Sequence, residues 1–231
     1  MAIPAEETNS ISFRYTDRWF AYFDLLGFSN LVRQKRIEHV LPIYEGVLSA
    51  IAEKADPKRG SGISYSWFSD TFIIFSKGDS DVEFAQMERV SRLFFQKLIL
   101  NKIPVRGSLT VGALYTQQRK NIFVGEALID AYEYGEAQDW LGFVLTPSVY
   151  RHLDRGPLHL EKRVHYRVVD IPGVIRHQHP DNVYAFTFNN GRVNGRNPFL
   201  DAVLAMKASA GKMHENKYAN TERFIRAHTM F

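Results

Sequence analysis

Cysteine is absent from the 231-residue sequence, which excludes disulfide bonds, thiolate nucleophiles and cysteine-based zinc sites. Long hydrophobic runs are missing too, since no apolar run approaches the roughly 18 residues of a membrane helix. The start, MAIPAEETNS, lacks the basic and apolar regions of a signal peptide. The net charge is only +4, with Lys and Arg scattered among acids, and gives no reason to expect nucleic-acid binding. We therefore expect a soluble, cytoplasmic protein.

Apolar residues make up 45% of the chain, which is ample for the core of one large domain. Repeats, low-complexity tracts and long linkers are not found in the sequence. The polar start predicts a flexible segment over 1–16, followed by a main domain over 17–190. The last stretch, 191–231, is expected to form a helical extension that docks on the domain or on a second subunit.

An isolated acid interrupts the first apolar stretch, RWFAYFDLLGFSN over 18–30. The run from Trp19 to Phe23 predicts a buried strand, and Asp24 follows it directly. A carboxylate so close to a buried run requires a partner or a cation. The residues after it, Gly27, Phe28 and Ser29, turn the chain into a helix whose free N–H groups form an anion site.

A second acid lies at the centre of SYSWFSDTFIIFS, over 64–76, where β-forming residues flank Ser69, Asp70 and Thr71. This pattern predicts a hairpin with Asp70 at its tip. Two strand-end carboxylates can converge on one or two divalent cations. Oxygen ligands and the lack of cysteine favour Mg²⁺ or Mn²⁺ over zinc. Taken separately, Asp24 could instead cap the following helix, and Asp70 could be an ordinary turn residue.

The order of elements up to Val149 predicts an α+β fold with a ferredoxin-like βαββαβ core, followed by additional C-terminal strands and a helix. In such a core the end of the first strand and the tip of the hairpin lie side by side. Arg106 begins the fourth strand, either as an exposed edge charge or as a guanidinium over phosphate oxygens. The predicted helices cover 30–55, 81–100, 123–140 and 197–228, and the remaining strands cover 104–115, 141–146, 164–169 and 183–188.

Four motifs resemble those of class III nucleotidyl cyclases: YFDLLGFSN, WFSDTFIIF, PVRGSLTVGALY and NIFVGEALIDAYEYGEA. The resemblance covers roughly 18–150 and rests on the order and spacing of the motifs. It implies two Mn²⁺ or Mg²⁺ ions held by Asp24, Asp70 and a backbone carbonyl at Leu25. It also implies that Arg106 stabilises charge, and that active sites are shared across a homodimer. The N–H groups that would cradle a triphosphate are those of Leu26, Gly27, Phe28 and Ser29.

The departures from that family are specific. Its transition-state Asn and Arg would fall at Ile129 and Glu133, and its purine-contacting positions fall at Ser66 and Ile122. The pattern GEALIDAYEYGEAQDW, together with KYANTERFI over 217–225, resembles the pyrimidine cyclases of bacterial Pycsar antiphage systems. This likeness implies conversion of UTP to cyclic UMP, or of CTP to cyclic CMP, as a signal read by a separate effector.

Two aromatic residues, Tyr65 and Phe13, are candidates for contacting the base. Other functions stay open beside a pyrimidine cyclase. A palm-type polymerase or cyclic dinucleotide synthase shares this type of core, although the Gly-Gly-Asp/Glu-Glu-Phe hairpin of diguanylate cyclases is missing. A catalytically inactive nucleotide sensor is suggested by Ile129 and Glu133.

Overall fold

The computed structural model describes residues 14–34, 37–52, 62–153, 165–170, 174–175, 183–189, 196–211 and 214–228. The expectations for 1–13, including Phe13, lie outside this part of the chain. The strands are β1 (Thr16–Leu25), β2 (Ile63–Phe68), β3 (Thr71–Ser76), β4 (Val105–Gln117), β5 (Ile122–Val124), β6 (Phe143–Leu145), β7 (Tyr166–Val168) and β8 (Tyr184–Phe186). The helices are α1 (Phe28–Arg33), α2 (Ile37–Ala52), α3 (Asp81–Leu100), α4 (Glu126–Glu136), α5 (Pro147–Leu153), α6 (Pro198–Ser209) and α7 (Glu215–His228).

The strands form one mixed sheet in the order β2-β3-β1-β4-β6-β8-β7, with β5 added to β4. The first strand lies in the middle, antiparallel to both β3 and β4, and β6 runs parallel to β4. The elements β1, α1–α2, β2, β3, α3 and β4 therefore form the βαββαβ core that the sequence predicted. The fold class is confirmed.

Both faces of β1 are covered, which is why its sequence shows no alternation of polar and apolar residues. Trp19 and Phe23 belong to the larger core cluster, which also contains the buried apolar residues of α3. Phe20 and Tyr22 point the other way, into a smaller cluster with buried residues of α4. Because side chains alternate along a strand, Asp24 shares the α4 face with Phe20 and Tyr22.

Three predicted helices have different bounds in the structure. The helix expected over 30–55 is two helices, because the chain leaves helical geometry at Gln34. The helix expected over 123–140 begins only at Glu126, because Phe123 pairs with Thr116 in a ladder that extends β4. The C-terminal helical stretch is divided in two at Ala210, which has an extended backbone. The helix predicted over 81–100 is confirmed, and a capping box at its start stabilises it.

The C-terminal helices share the main core. Phe224 of α7 packs edge-on against Trp140 with ring centroids 4.5 Å apart. The Leu141 N–H donates to the buried Thr221 Oγ1 at 2.8 Å. These contacts fix α7 beside the loop that joins α4 to β6. Within the described residues, no helix has both the length and the apolar character needed to cross a membrane.

Candidate active site

The two acids singled out from the sequence lie on neighbouring strands at one end of the sheet. Asp24 is paired in register with Thr71, the residue after Asp70. The Leu25 N–H donates to the Asp70 carbonyl at 2.9 Å, which ties the end of β1 to the tip of the hairpin. Asp24 is buried and Asp70 is half-buried. The fold thus brings together two carboxylates that are distant in sequence.

Arg106 lies opposite Asp24 on β4 and is buried, so its interpretation as an exposed edge charge is wrong. Its Nε donates to Asp24 Oδ2 at 2.8 Å, and its Nη1 donates to the carbonyls of Glu136 at 2.9 Å and Gln138 at 3.1 Å. Its Nη2 lies 2.6 Å from Glu136 Oε1. Since a guanidinium carries five N–H donors, about one is left for a ligand.

Glu136 is a third acid at this site, and the sequence analysis did not identify it. It also accepts a hydrogen bond from the Tyr22 hydroxyl at 3.3 Å. A signal was present, because Glu136 ends α4, where the helix dipole disfavours an acid. An acid in that position needs a compensating cation, and Arg106 supplies it.

The electrostatic balance around Asp24 favours a bound cation. Burial raises the pKa of the Asp24 carboxyl; Arg106 opposes the rise, while Glu136 and Asp70 add to it. Burial also raises the pKa of the Tyr22 phenol, with Asp24 contributing. Three acids around one guanidinium leave negative charge that divalent cations can neutralise.

The oxygen donors of Asp24 and Asp70, together with the nearby Leu25 carbonyl, suit Mg²⁺ or Mn²⁺. They do not form a complete cage. Among the described residues, no group of three or more His, Cys, Asp or Glu side chains is arranged to hold a metal. A site of this kind relies on substrate phosphates and water to complete the coordination, as magnesium sites commonly do.

The turn after β1 offers fewer anion donors than the sequence suggested. The Leu26 N–H donates to the Pro104 carbonyl at 2.9 Å and is therefore engaged. Gly27 has a left-handed backbone with φ of 71°, which favours glycine. The N–H groups of Gly27, Phe28 and Ser29 donate to no described residue, and both Gly27 and Ser29 are exposed. These three groups remain available for a phosphate.

The hairpin register places Tyr65 on the wrong side of the sheet for contact with Asp24. Directly paired residues share a face, so the pairs Phe68–Thr71 and Thr71–Asp24 put Phe68 on the face of Asp24. Tyr65 pairs with Ile74, which belongs to the core on the opposite face. Phe68 is 82% exposed, which is unusual for so large an apolar side chain. The sequence contained a signal for this difference. Phe68 lies three residues after Tyr65, and residues three apart in a strand point to opposite faces.

No protein-family model matches this sequence, and no curated protein matches it. Similar solved structures do exist. The catalytic core of a rhodopsin-guanylyl cyclase with converted specificity, in complex with ATPαS, has a TM-score of 0.54 at 11% identity, covering 74% of this chain and 95% of that one. The monomeric guanylyl cyclase domain of a rhodopsin fusion protein from the aquatic fungus Blastocladiella emersonii has a TM-score of 0.52 at 10% identity, over 74% and 95% of the two chains.

An adenylate/guanylate cyclase/hydrolase from Silicibacter pomeroyi has a TM-score of 0.50 at 13% identity, covering 76% of this chain and 98% of that one. These likenesses concern the arrangement of the backbone, and they agree with the βαββαβ core described above. The chain has the fold of class III adenylyl and guanylyl cyclase catalytic domains.

Proposed function

We propose that this protein is a nucleotidyl cyclase that converts a nucleoside triphosphate into a 3′,5′-cyclic nucleotide and pyrophosphate. The observation that carries the proposal is the convergence of Asp24 and Asp70 at one end of a cyclase-type sheet. The ribose 3′-oxygen attacks the α-phosphorus and loses its proton, while the bond from that phosphorus to pyrophosphate breaks. Two divalent cations, when bound, lower the pKa of such a hydroxyl and neutralise the triphosphate.

The chain's own residues have separate roles in this proposal. Asp24, Asp70 and the Leu25 carbonyl hold the cations. The free N–H groups from Gly27 to Ser29 bind phosphate oxygens. Arg106 keeps Asp24 in place and offers its remaining N–H to the substrate. Phe68 lies on the face of Asp24 and is exposed, so we assign the base contact to it rather than to Tyr65.

The proposed substrate is UTP, which gives cyclic UMP, with CTP as the alternative. This choice rests on Ser66 and Ile122, which occupy the positions of purine-contacting side chains, and on the resemblance to pyrimidine cyclases. In that setting the product is the signal of a cytoplasmic antiphage system, and a separate effector reads it. An inactive nucleotide sensor is the second candidate, favoured by Ile129 and Glu133 at the positions of catalytic Asn and Arg.

We also propose that two copies form a symmetric dimer. Large apolar side chains are exposed on β5 and on α4, and large exposed apolar surfaces of soluble proteins commonly mark interfaces. The residues are Ile122, Val124, Ile129 and Tyr132. A helix and its neighbouring strand with this character suit an interface between identical subunits.

The activity is tested by incubating the purified protein with Mn²⁺ and each of the four ribonucleoside triphosphates, with products identified by mass spectrometry. A cyclic mononucleotide supports the proposal. A dinucleotide indicates the polymerase-like chemistry, and bound but unchanged nucleotide indicates a sensor. Asp24→Asn and Asp70→Asn should each abolish turnover. Asp17→Asn is the matched control, because this exposed Asp lies seven residues earlier on β1, roughly 23 Å away.

A further inference from the structure

A cavity of about 280 Å³ opens beside the turn that follows β1. Gly27 and α1 form one wall, and the connection between α3 and β4 forms another with Lys102 and Pro104. The end of α6, Gly211, His214 and the first turn of α7, with Lys217 and Tyr218, close the third side. The volume is near the lower end, roughly 300 Å³, of small-ligand pockets.

The charged side chains that line this cavity are basic. Lys102 and Lys217 line it together with His214, and none of its described lining residues is an acid. Lys102 forms no ion pair with any described residue. Lys217 has a carboxylate partner in Asp139, 3.3 Å from its Nζ, so the uncompensated positive charge of the cavity is that of Lys102. A small cavity with two ammonium groups and no carboxylate among its described lining residues favours an anionic ligand.

Lys217 connects the cavity to the acidic site. Its Nζ donates to the Gln138 carbonyl at 3.4 Å and to Asp139 Oδ1 at 3.3 Å. The same Gln138 carbonyl accepts a hydrogen bond from Arg106, which holds Asp24. Since an ammonium has three donors, Lys217 keeps about one for a ligand. Thr221 and Asn220 anchor α7 by hydrogen bonds to Leu141 and Asp139, and this fixes the position of Lys217.

We propose that the cavity binds the two terminal phosphates of the substrate triphosphate, and afterwards the released pyrophosphate, with Lys217 and Lys102 as the cationic donors. The inference rests on the proposed function. It adds charged donors to a site in which Arg106 has about one free N–H, Leu26 has none, and the turn after β1 offers only uncharged backbone N–H groups. Lys217 is then a substrate-positioning residue contributed by the C-terminal helices.

A metal-free binding assay tests the cavity independently of catalysis. Tripolyphosphate, added in the presence of a chelator, should raise the melting temperature of the wild-type protein. Lys217→Ala and Lys102→Asn should remove most of that shift, while Lys217→Arg should retain it. Lys207→Ala is the matched control, because Lys207 pairs with Glu222 between α6 and α7 and does not line the cavity. If Lys217→Ala does not fold, the melting-temperature shift of Lys102→Asn decides the test. Lys102 is exposed and has a positive φ, which Asn tolerates.

Kinetics give a second readout that a purely structural role would not move. Losing one charged donor should raise the KM for the triphosphate and the inhibition constant of pyrophosphate by about tenfold, with a smaller change in kcat. Inhibition by the nucleoside monophosphate should stay unchanged. If triphosphate is turned over but neither lysine variant alters these constants, the cavity proposal is overturned and the proposed function stands. If no triphosphate is turned over but tripolyphosphate binding depends on both lysines, the proposed function fails and the anion cavity stands.

Discussion

Asp24 and Arg106 face each other across β1 and β4, with Arg106 Nε 2.8 Å from Asp24 Oδ2 and side-chain exposures of only 11% and 9%. The guanidinium is also bound to Glu136 and to the Gln138 carbonyl. Arg106 therefore orients the acid at the end of β1 and links β4 to the end of α4. Its first role is to hold the site together, and its contribution to a substrate is limited to the donor that remains.

The first prediction concerns the stability of this ion pair. Arg106→Met should lower the free energy of unfolding by about 3–5 kcal/mol, because it leaves a buried Asp24 without its partner. Urea denaturation measures the loss. Arg226→Met is the control, since Arg226 makes an exposed helical pair with Glu222 that contributes under about 1 kcal/mol. Equal losses for the two variants would contradict the assigned role.

The second prediction concerns metal binding. Mn²⁺ at about a hundred times its dissociation constant should stabilise the wild-type protein by about 2.7 kcal/mol, because the folded state alone has the site. Differential scanning calorimetry should show the corresponding rise in melting temperature. Asp24→Asn and Asp70→Asn should lose the response, while Asp17→Asn should keep it. A response that survives in both site variants would place the metal elsewhere.

The third prediction concerns pH. Burial raises the pKa of Asp24 in the folded protein, with Glu136 and Asp70 adding to the rise and Arg106 opposing it. The associated stabilisation is complete below the unfolded value of about 3.9 and is lost as the pH rises through the folded pKa. The unfolding free energy of the metal-free wild type, minus that of Asp24→Asn, should therefore fall as the pH is raised towards neutrality. Urea titrations at several pH values measure this difference, and a rise would show that the pKa is lowered instead.

The fourth prediction separates the two aromatic residues of β2. Phe68→Ala should raise the KM for the nucleotide by about tenfold with little effect on stability, because the ring is exposed on the face of Asp24. Tyr65→Ala should leave the KM unchanged, since its side chain points to the opposite face. Steady-state kinetics with both variants measure this, and the reverse pattern would refute the assignment of faces.

The fifth prediction concerns the dimer. Ile129→Glu should shift the protein from dimer to monomer in size-exclusion chromatography with light scattering, because Ile129 is an apolar residue that is 58% exposed on the solvent-facing side of α4. Val82→Glu is a control, as Val82 is similarly exposed on α3 and lies outside that surface. A wild-type protein that is monomeric at micromolar concentration would exclude the proposed dimer.

The sequence predicted correctly those helices and strands that depend on residues close to one another in the chain. The helix over 81–100 was predicted from its apolar spacing, and in the structure a capping box of Ser80 and Glu83 stabilises its start. The hairpin around Asp70 follows from two β-forming runs separated by turn residues. The helix predicted over 123–140 began too early because Ile122–Val124 gains a strand partner only when β4 is present beside it. Pairing of this kind overrides local preference.

By itself, the sequence determined that Asp24 needs a partner, that Asp70 lies at the tip of a hairpin and that the chain forms a βαββαβ core. Only the tertiary structure decided which residues are the partners of these side chains. Arg106 reaches Asp24 across 82 residues of sequence, and Lys217 approaches Gln138 across 79. The side of the sheet that Phe68 and Tyr65 occupy was decided in the same way, because a register shift of one residue reverses every side chain. The periodicity of a sequence shows which residues share a face of a strand or helix. Which other residues that face contacts depends on how the elements pack in the tertiary structure.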